Sequence, residues 1–134
     1  MRLGGATKVY KSDGSPDNIV IASTAVVYTH SFPMFSGSFF GVWAKMTSVI
    51  GTPNIKVELE ESWSLPTAEG SAETTLWVEP DGFDDIFAAI ADELAHIKTI
   101  APVPMTYGRY KITGLSENPA DTIATIYNFI QEVE

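Results

Sequence analysis

Hydrophobic positions in this chain fall into short alternating runs broken by glycine, proline and asparagine, a pattern that predicts strands and turns. In residues 55–63, Ile55, Val57 and Leu59 alternate with Lys56, Glu58 and Glu60. One face of that strand should meet a core and the other should meet water. Residues 38–49 carry bulk on both alternating faces, with Phe40, Val42, Ala44 and Met46 against Phe39, Gly41 and Trp43. Such a strand is central or lies under a partner. Shorter strands are expected over residues 19–22, 25–28, 74–78 and 109–113. Residues 51–54 (Gly-Thr-Pro-Asn) form a turn, and residues 64–73, with Pro66 and Gly70, form a loop.

One stretch reads as a helix. Phe83, Ile86, Phe87, Ile90, Leu94 and Ile97 recur at spacings of three, four and seven, with Asp81 placed to cap, Asp84 and Asp85 in the first turn and Lys98 at the far end. The spacing predicts an amphipathic helix over about 81–98, stopped by Pro102 and Pro104. Residues 119–133 fit two states. Ile123, Ile126, Tyr127 and Ile130 have helical spacing behind Asn118 and Pro119, but β-branched and aromatic residues dominate the run, and their stiff side chains favour a strand. The expected architecture is an antiparallel β-sandwich or jelly roll with that one helix. An extended N-terminal arm (residues 1–17) precedes a single domain (residues 18–134).

Charge sharpens this picture. The chain of 134 residues has a net charge of −9, which argues against a nucleic-acid partner. Residues 54–93 hold eleven acids and one base, Lys56, whereas the first eleven residues hold Arg2, Lys8 and Lys11 and no acid. A basic arm on an acidic body suits docking onto an acidic neighbour, another copy included. Arg2, Lys8, Val9, Tyr10 and Lys11 are therefore the candidate inter-subunit contacts. The uncharged stretch from residue 19 is broken by His30, Pro33 and several Ser and Gly residues, so no membrane helix is expected. The N-terminus has no apolar leader, and a soluble intracellular product is expected.

Candidate chemistry is sparse. Without cysteine there is no thiolate nucleophile or thiolate metal site. His30, between Thr29 and Ser31, has no evident carboxylate partner, and His96 is expected near a helix end, where the dipole favours its protonated form. Glu58 and Glu60 point outward beside Lys56 and do not face each other across a cleft as a glycosidase pair must. Glu79, Asp81, Asp84 and Asp85 offer oxygen ligands of the kind calcium takes, without EF-hand spacing, and a helix start explains them. Trp43, Trp63 and Trp77 could stack on sugars, although strand tryptophans more often pack in a core or interface. The expectation is no catalytic site, no metal and no cofactor.

The order Arg109-Tyr110-Lys111-Ile112-Thr113-Gly114, then Asn118-Pro119-Ala120-Asp121-Thr122 and the apolar run after it, resembles the C-terminal hairpin of small β-sandwich proteins in tailed-phage virions. Trp77-Val78-Glu79-Pro80 and Ala101-Pro102-Val103-Pro104 extend the resemblance over the last 60 or so residues. The long helix departs from that pattern and leaves the position in the particle open. The resemblance implies a non-enzymatic structural protein of the virion, made in the host cytoplasm, with a capsid decoration protein first and a tail, neck or fibre component as the alternative. Its partners would be the major capsid protein or other virion proteins and further copies of itself. A carbohydrate-binding β-sandwich module is the competing class.

Overall fold

The computed structural model describes residues 2–3, 6–34, 39–62, 77, 85–100, 107–116 and 120–132. Eleven strands are found among them: β1 (Arg2–Leu3), β2 (Thr7–Lys8), β3 (Ile19–Ala22), β4 (Val26–Tyr28), β5 (Phe32–Pro33), β6 (Phe39–Ile50), β7 (Ile55–Ser62), β8 (Phe87–Ile90), β9 (Ala95–Ile100), β10 (Tyr107–Gly114) and β11 (Asp121–Glu132). They form two antiparallel sheets. In the six-stranded sheet β11 lies between β6 and the short strands β1, β2 and β3, and β9 flanks β6 on its other side. In the five-stranded sheet β10 lies between β7 and the pair β4 and β5, with β8 outside β7. The chain is all-β over the described residues, and the sandwich expectation fits.

Alternation decides which side of each strand is buried. Ile55, Val57 and Leu59 on β7 and Tyr110 and Ile112 on β10 meet Phe40, Val42, Ala44 and Met46 on β6 and Ile126 on β11, all at 2% exposure or less. Burial of each of the Ile, Val, Leu, Phe and Met side chains among them contributes roughly 1.5–3 kcal/mol. Residues 119–133 resolve as strand over Asp121–Glu132, where Ala124 and Ile126 point inward and Ile123, Thr125 and Tyr127 outward.

Several connections pass from one sheet to the other. Residues 51–54 link β6 to β7, residues 91–94 link β8 to β9, and residues 115–120 link β10 to β11. The last two strands are therefore no hairpin, contrary to the sequence expectation. β10 pairs with β7 and β4, and β11 pairs with β6. What joins them is a side-chain bond across the core, from the Tyr110 hydroxyl to Asn128 Oδ1 at 2.6 Å. Gly114 is required where the arch begins, because a Cβ there would run into the Ser23 carbonyl oxygen.

The helix over 81–98 is not present in the described part of that span. Residues 81–84 lie outside the described residues, and from Phe87 onward the chain is two strands and a turn. Phe87 and Ile90 pair with Val57 and Ile55 of β7, and Ala95 to Ile100 pair with β6. The Asp92 carboxylate accepts the Leu94 N–H at 3.0 Å and closes the turn locally, offering the backbone an alternative to a helical bond. The apolar stripe is split accordingly. Ile86 and Ile90 are buried, whereas Leu94 and Ile97 are 68% and 70% exposed. Sheet pairing overrides the helical spacing because each segment finds an open strand edge to bond. His96, expected at a helix end, instead sits on β9 and bonds Asp92.

Candidate functional site

The two sheets have very different outer faces. On the five-stranded sheet the outward residues include two ion pairs, Arg109 with Glu60 and Lys56 with Glu58. Arg109 is 0% exposed, and its Nε donates to Glu60 Oε1 at 2.8 Å. Its guanidinium lies 4.3 Å from the Tyr28 ring centre and 4.7 Å from that of Trp77, which is itself 3% exposed. The planar cation is stacked between two aromatic faces, where its weak hydration makes burial affordable. Next to it, Lys56 Nζ lies 3.4 Å from Glu58. Of the three tryptophans considered as a sugar platform, Trp77 covers Arg109 and Trp63 lies outside the described residues.

Trp43, the third, faces outward from the six-stranded sheet. Register puts Lys8, Tyr127, Trp43 and Ile97 in one row across four strands, with Thr125, Lys45 and Ala95 in the next row. The Tyr127 and Trp43 rings meet edge to face, 5.6 Å apart and inclined at 68°. Together with Ala6 and Phe129 they wall a shallow depression of about 250 Å³ whose surface is carbon. Val20 and Val49, both about half exposed, extend the apolar area along the same face.

The five candidate inter-subunit residues are spread over both sheets. Arg2 pairs through its backbone with Glu132 of β11. Lys8 pairs with Tyr127 on the outer face, while Val9, 2% exposed, turns into the core and donates its N–H to the Ile126 carbonyl at 2.9 Å. Tyr10 packs its ring 5.7 Å from His30, and Lys11 bridges to Thr29 beside the five-stranded sheet. Residues 7–11 therefore cross from one sheet to the other along the body of their own chain, and Lys8 lies on the apolar outer face.

The acids considered for chemistry do not converge. Glu79, Asp81 and Asp84 lie outside the described residues, and among the described residues no three metal-ligating side chains gather. His30 Nδ1 lies 2.8 Å from the Ser31 carbonyl, which fixes its ring beside Phe32. Glu61 is the exception to the outward glutamates of β7. It is 1% exposed, and burial pushes its carboxyl above the ordinary glutamate value of 4.5. Asp92 is held below the usual carboxylate range, first by the hydrogen bond from His96 and then by the Leu94 N–H.

Comparison with known proteins yields no family. No family model and no curated protein matches the chain. Among solved structures it is similar to the K3 cleaved adhesin domain of Lys-gingipain from Porphyromonas gingivalis W83. That match has 13% identity and a TM-score of 0.41 and covers 95% of this chain and 73% of that one, a likeness too loose to carry an argument about function.

Proposed function

We propose that this chain is a non-enzymatic structural protein of a tailed-phage particle, a capsid decoration protein acting through protein–protein contacts. The observation that supports a contact role is the outer face of the six-stranded sheet, where Trp43, Tyr127 and Phe129 wall an open apolar depression and Ile97 stands 70% exposed beside Trp43. Aromatic anchors in such a setting are what protein interfaces are built around. The virion setting rests on the sequence resemblance of residues 109–126 alone, since β10 and β11 lie in different sheets and do not pair as a hairpin.

A carbohydrate-binding module is the second reading, favoured by the pairing of a tryptophan with a tyrosine on a sheet face. Two details weigh against it. The rings meet at 68°, so they do not offer one flat stacking plane, and the depression's carbon walls lack the polar groups that orient a sugar. Mixing the protein with particles lacking it, followed by sedimentation, separates the two. Wild type should sediment with the particles and Tyr127→Ser should not. A protein that ignores particles but binds members of an oligosaccharide panel overturns the proposal.

A further inference from the structure

The outer face of the six-stranded sheet differs in charge from the chain around it. Among the described residues it carries Lys8 and Lys45, with one acid, Asp121, at its far end, in a chain of 17 acidic and 8 basic residues. The two lysines lie in the rows that contain and adjoin the aromatic depression. A matching occupant needs an apolar tip with carboxylates beside it.

The chain itself presents that tip. The turn between β8 and β9 holds Asp92, Glu93 and Leu94, all exposed, with the Leu94 side chain 68% in solvent. It is also held in shape. Asp92 Oδ1 accepts both the Leu94 N–H at 3.0 Å and a bond from His96 Nε2 at 2.8 Å, and Glu93 Oε1 accepts the Ser48 N–H at 2.7 Å. A preformed knob loses little freedom on docking. A leucine side chain is small enough for a depression of about 250 Å³. Carboxylates placed at its rim by Asp92 and Glu93 would meet Lys8 and Lys45, a complementarity that selects partner and orientation.

We infer that this face binds a second copy of the chain, with Leu94 of one copy seated between Trp43, Tyr127 and Phe129 of the next. Knob and depression are different places on the molecule, so each copy can give one contact and receive another. The inference rests on the assembly role proposed above and deepens it by naming the two surfaces through which copies would meet.

Sedimentation velocity on the whole chain tests it by complementation. Wild type should associate at about 20 mM salt and weaken several-fold at about 500 mM, where the screening length falls to about 4 Å. Leu94→Ser removes the knob and Tyr127→Ser removes a wall of the depression. Each alone should lose association at least tenfold, and an equimolar mixture of the two should regain it, because one variant still has the depression and the other still has the knob. Should Tyr127→Ser fail to fold, Lys45→Glu mixed with Glu93→Lys gives the same cross-test by charge. A wild type that stays monomeric at low salt, or a mixture that fails to associate, overturns the inference. Particle binding that persists in Leu94→Ser while self-association is lost supports this contact and the assembly role separately. Self-association with no particle binding leaves the contact standing and removes the particle.

Discussion

The two outer faces of the sandwich contrast in how far the chain itself completes them. On the five-stranded sheet, Arg109 is buried beneath Trp77 and held by Glu60 and Tyr28, so this charged outward position is covered and paired by its own chain. On the six-stranded sheet, Trp43, Tyr127 and Ile97 are left with solvent against their rings and methyl groups. Outward-facing bulk is common to both. What differs is whether the sequence also supplies the cover. A face finished internally contributes to stability, whereas a face left open is available for association, and substitutions should divide along that line.

The largest effect is expected on the closed face. Arg109→Ala would strip Glu60 of its partner and leave Tyr28 and Trp77 without the cation between them. Breaking a buried pair from one side costs about 3–5 kcal/mol. Urea unfolding followed by tryptophan emission would check this, since Trp77 reports the site directly. Arg109→Lys should fall between wild type and Ala, because an ammonium keeps the charge but not the planar stacking. An Arg109→Ala protein as stable as wild type would show that the closed face is no more built-in than the open one.

Between the faces, the sheets are joined by the Tyr110 hydroxyl, which donates to Asn128 Oδ1 in a fully buried setting. Burial also raises the Tyr110 pKa well above the ordinary tyrosine value, so it remains a donor throughout the range where the protein would be studied. Tyr110→Phe leaves an amide oxygen buried without its donor and should cost about 1–3 kcal/mol, with the secondary structure unchanged. Thermal unfolding of the variant alongside an Asn128→Ala, Tyr110→Phe double variant would show the coupling, with the double losing less than the sum.

Glu61 offers a smaller effect with a distinct signature. Its carboxyl is raised by burial, so the folded state holds the proton more tightly than the unfolded chain does. The stabilisation from this group is complete below the ordinary value of 4.5 and is lost as pH rises through the higher folded value. Glu61→Gln keeps the shape without the charge. Its melting temperature should exceed that of wild type at pH 8, with the gap closing toward pH 4.5. A gap that widens toward acid would show that Glu61 is held ionised instead.

Much of the sandwich is legible in the sequence because alternation is a local signal. The inward set Ile55, Val57 and Leu59 follows from period two alone, as does the strand at Asp121–Glu132 once β-branched content is weighed against helical spacing. The helix over 81–98 fails for a non-local reason. Residues three and four apart can also be the last inward residue of one strand, a turn residue and an outward residue of the next, and Ile90, Leu94 and Ile97 occupy those places. The Arg109 site could not be read at all, since Tyr28, Glu60, Trp77 and Arg109 meet only through pairing of distant strands. Its one hint is the outward parity that Arg109 shares with Lys111 in a strand whose other face is apolar. Alternation alone puts Trp43 on the side opposite Val42 and Ala44, but nothing local says whether that side is covered by another part of the chain.

The smallest effect on stability is expected at the open face and its proposed mate. Leu94 projects from a turn, 68% exposed, and the hydrogen bonds that shape the turn use its backbone and the side chains of Asp92 and Glu93. Leu94→Ser keeps all of those bonds and should change the free energy of unfolding by no more than about 0.5 kcal/mol in dilute protein at raised salt, where any association is suppressed. A loss of 2 kcal/mol or more would mean that Leu94 is packed within its own molecule. The six-stranded sheet would then be as closed as its neighbour, and the contrast between the two faces would fail. An unchanged unfolding curve at high dilution, combined with a concentration-dependent melting temperature in wild type that Leu94→Ser abolishes, would locate the residue's contribution between molecules, because association that requires the folded state stabilises it by mass action.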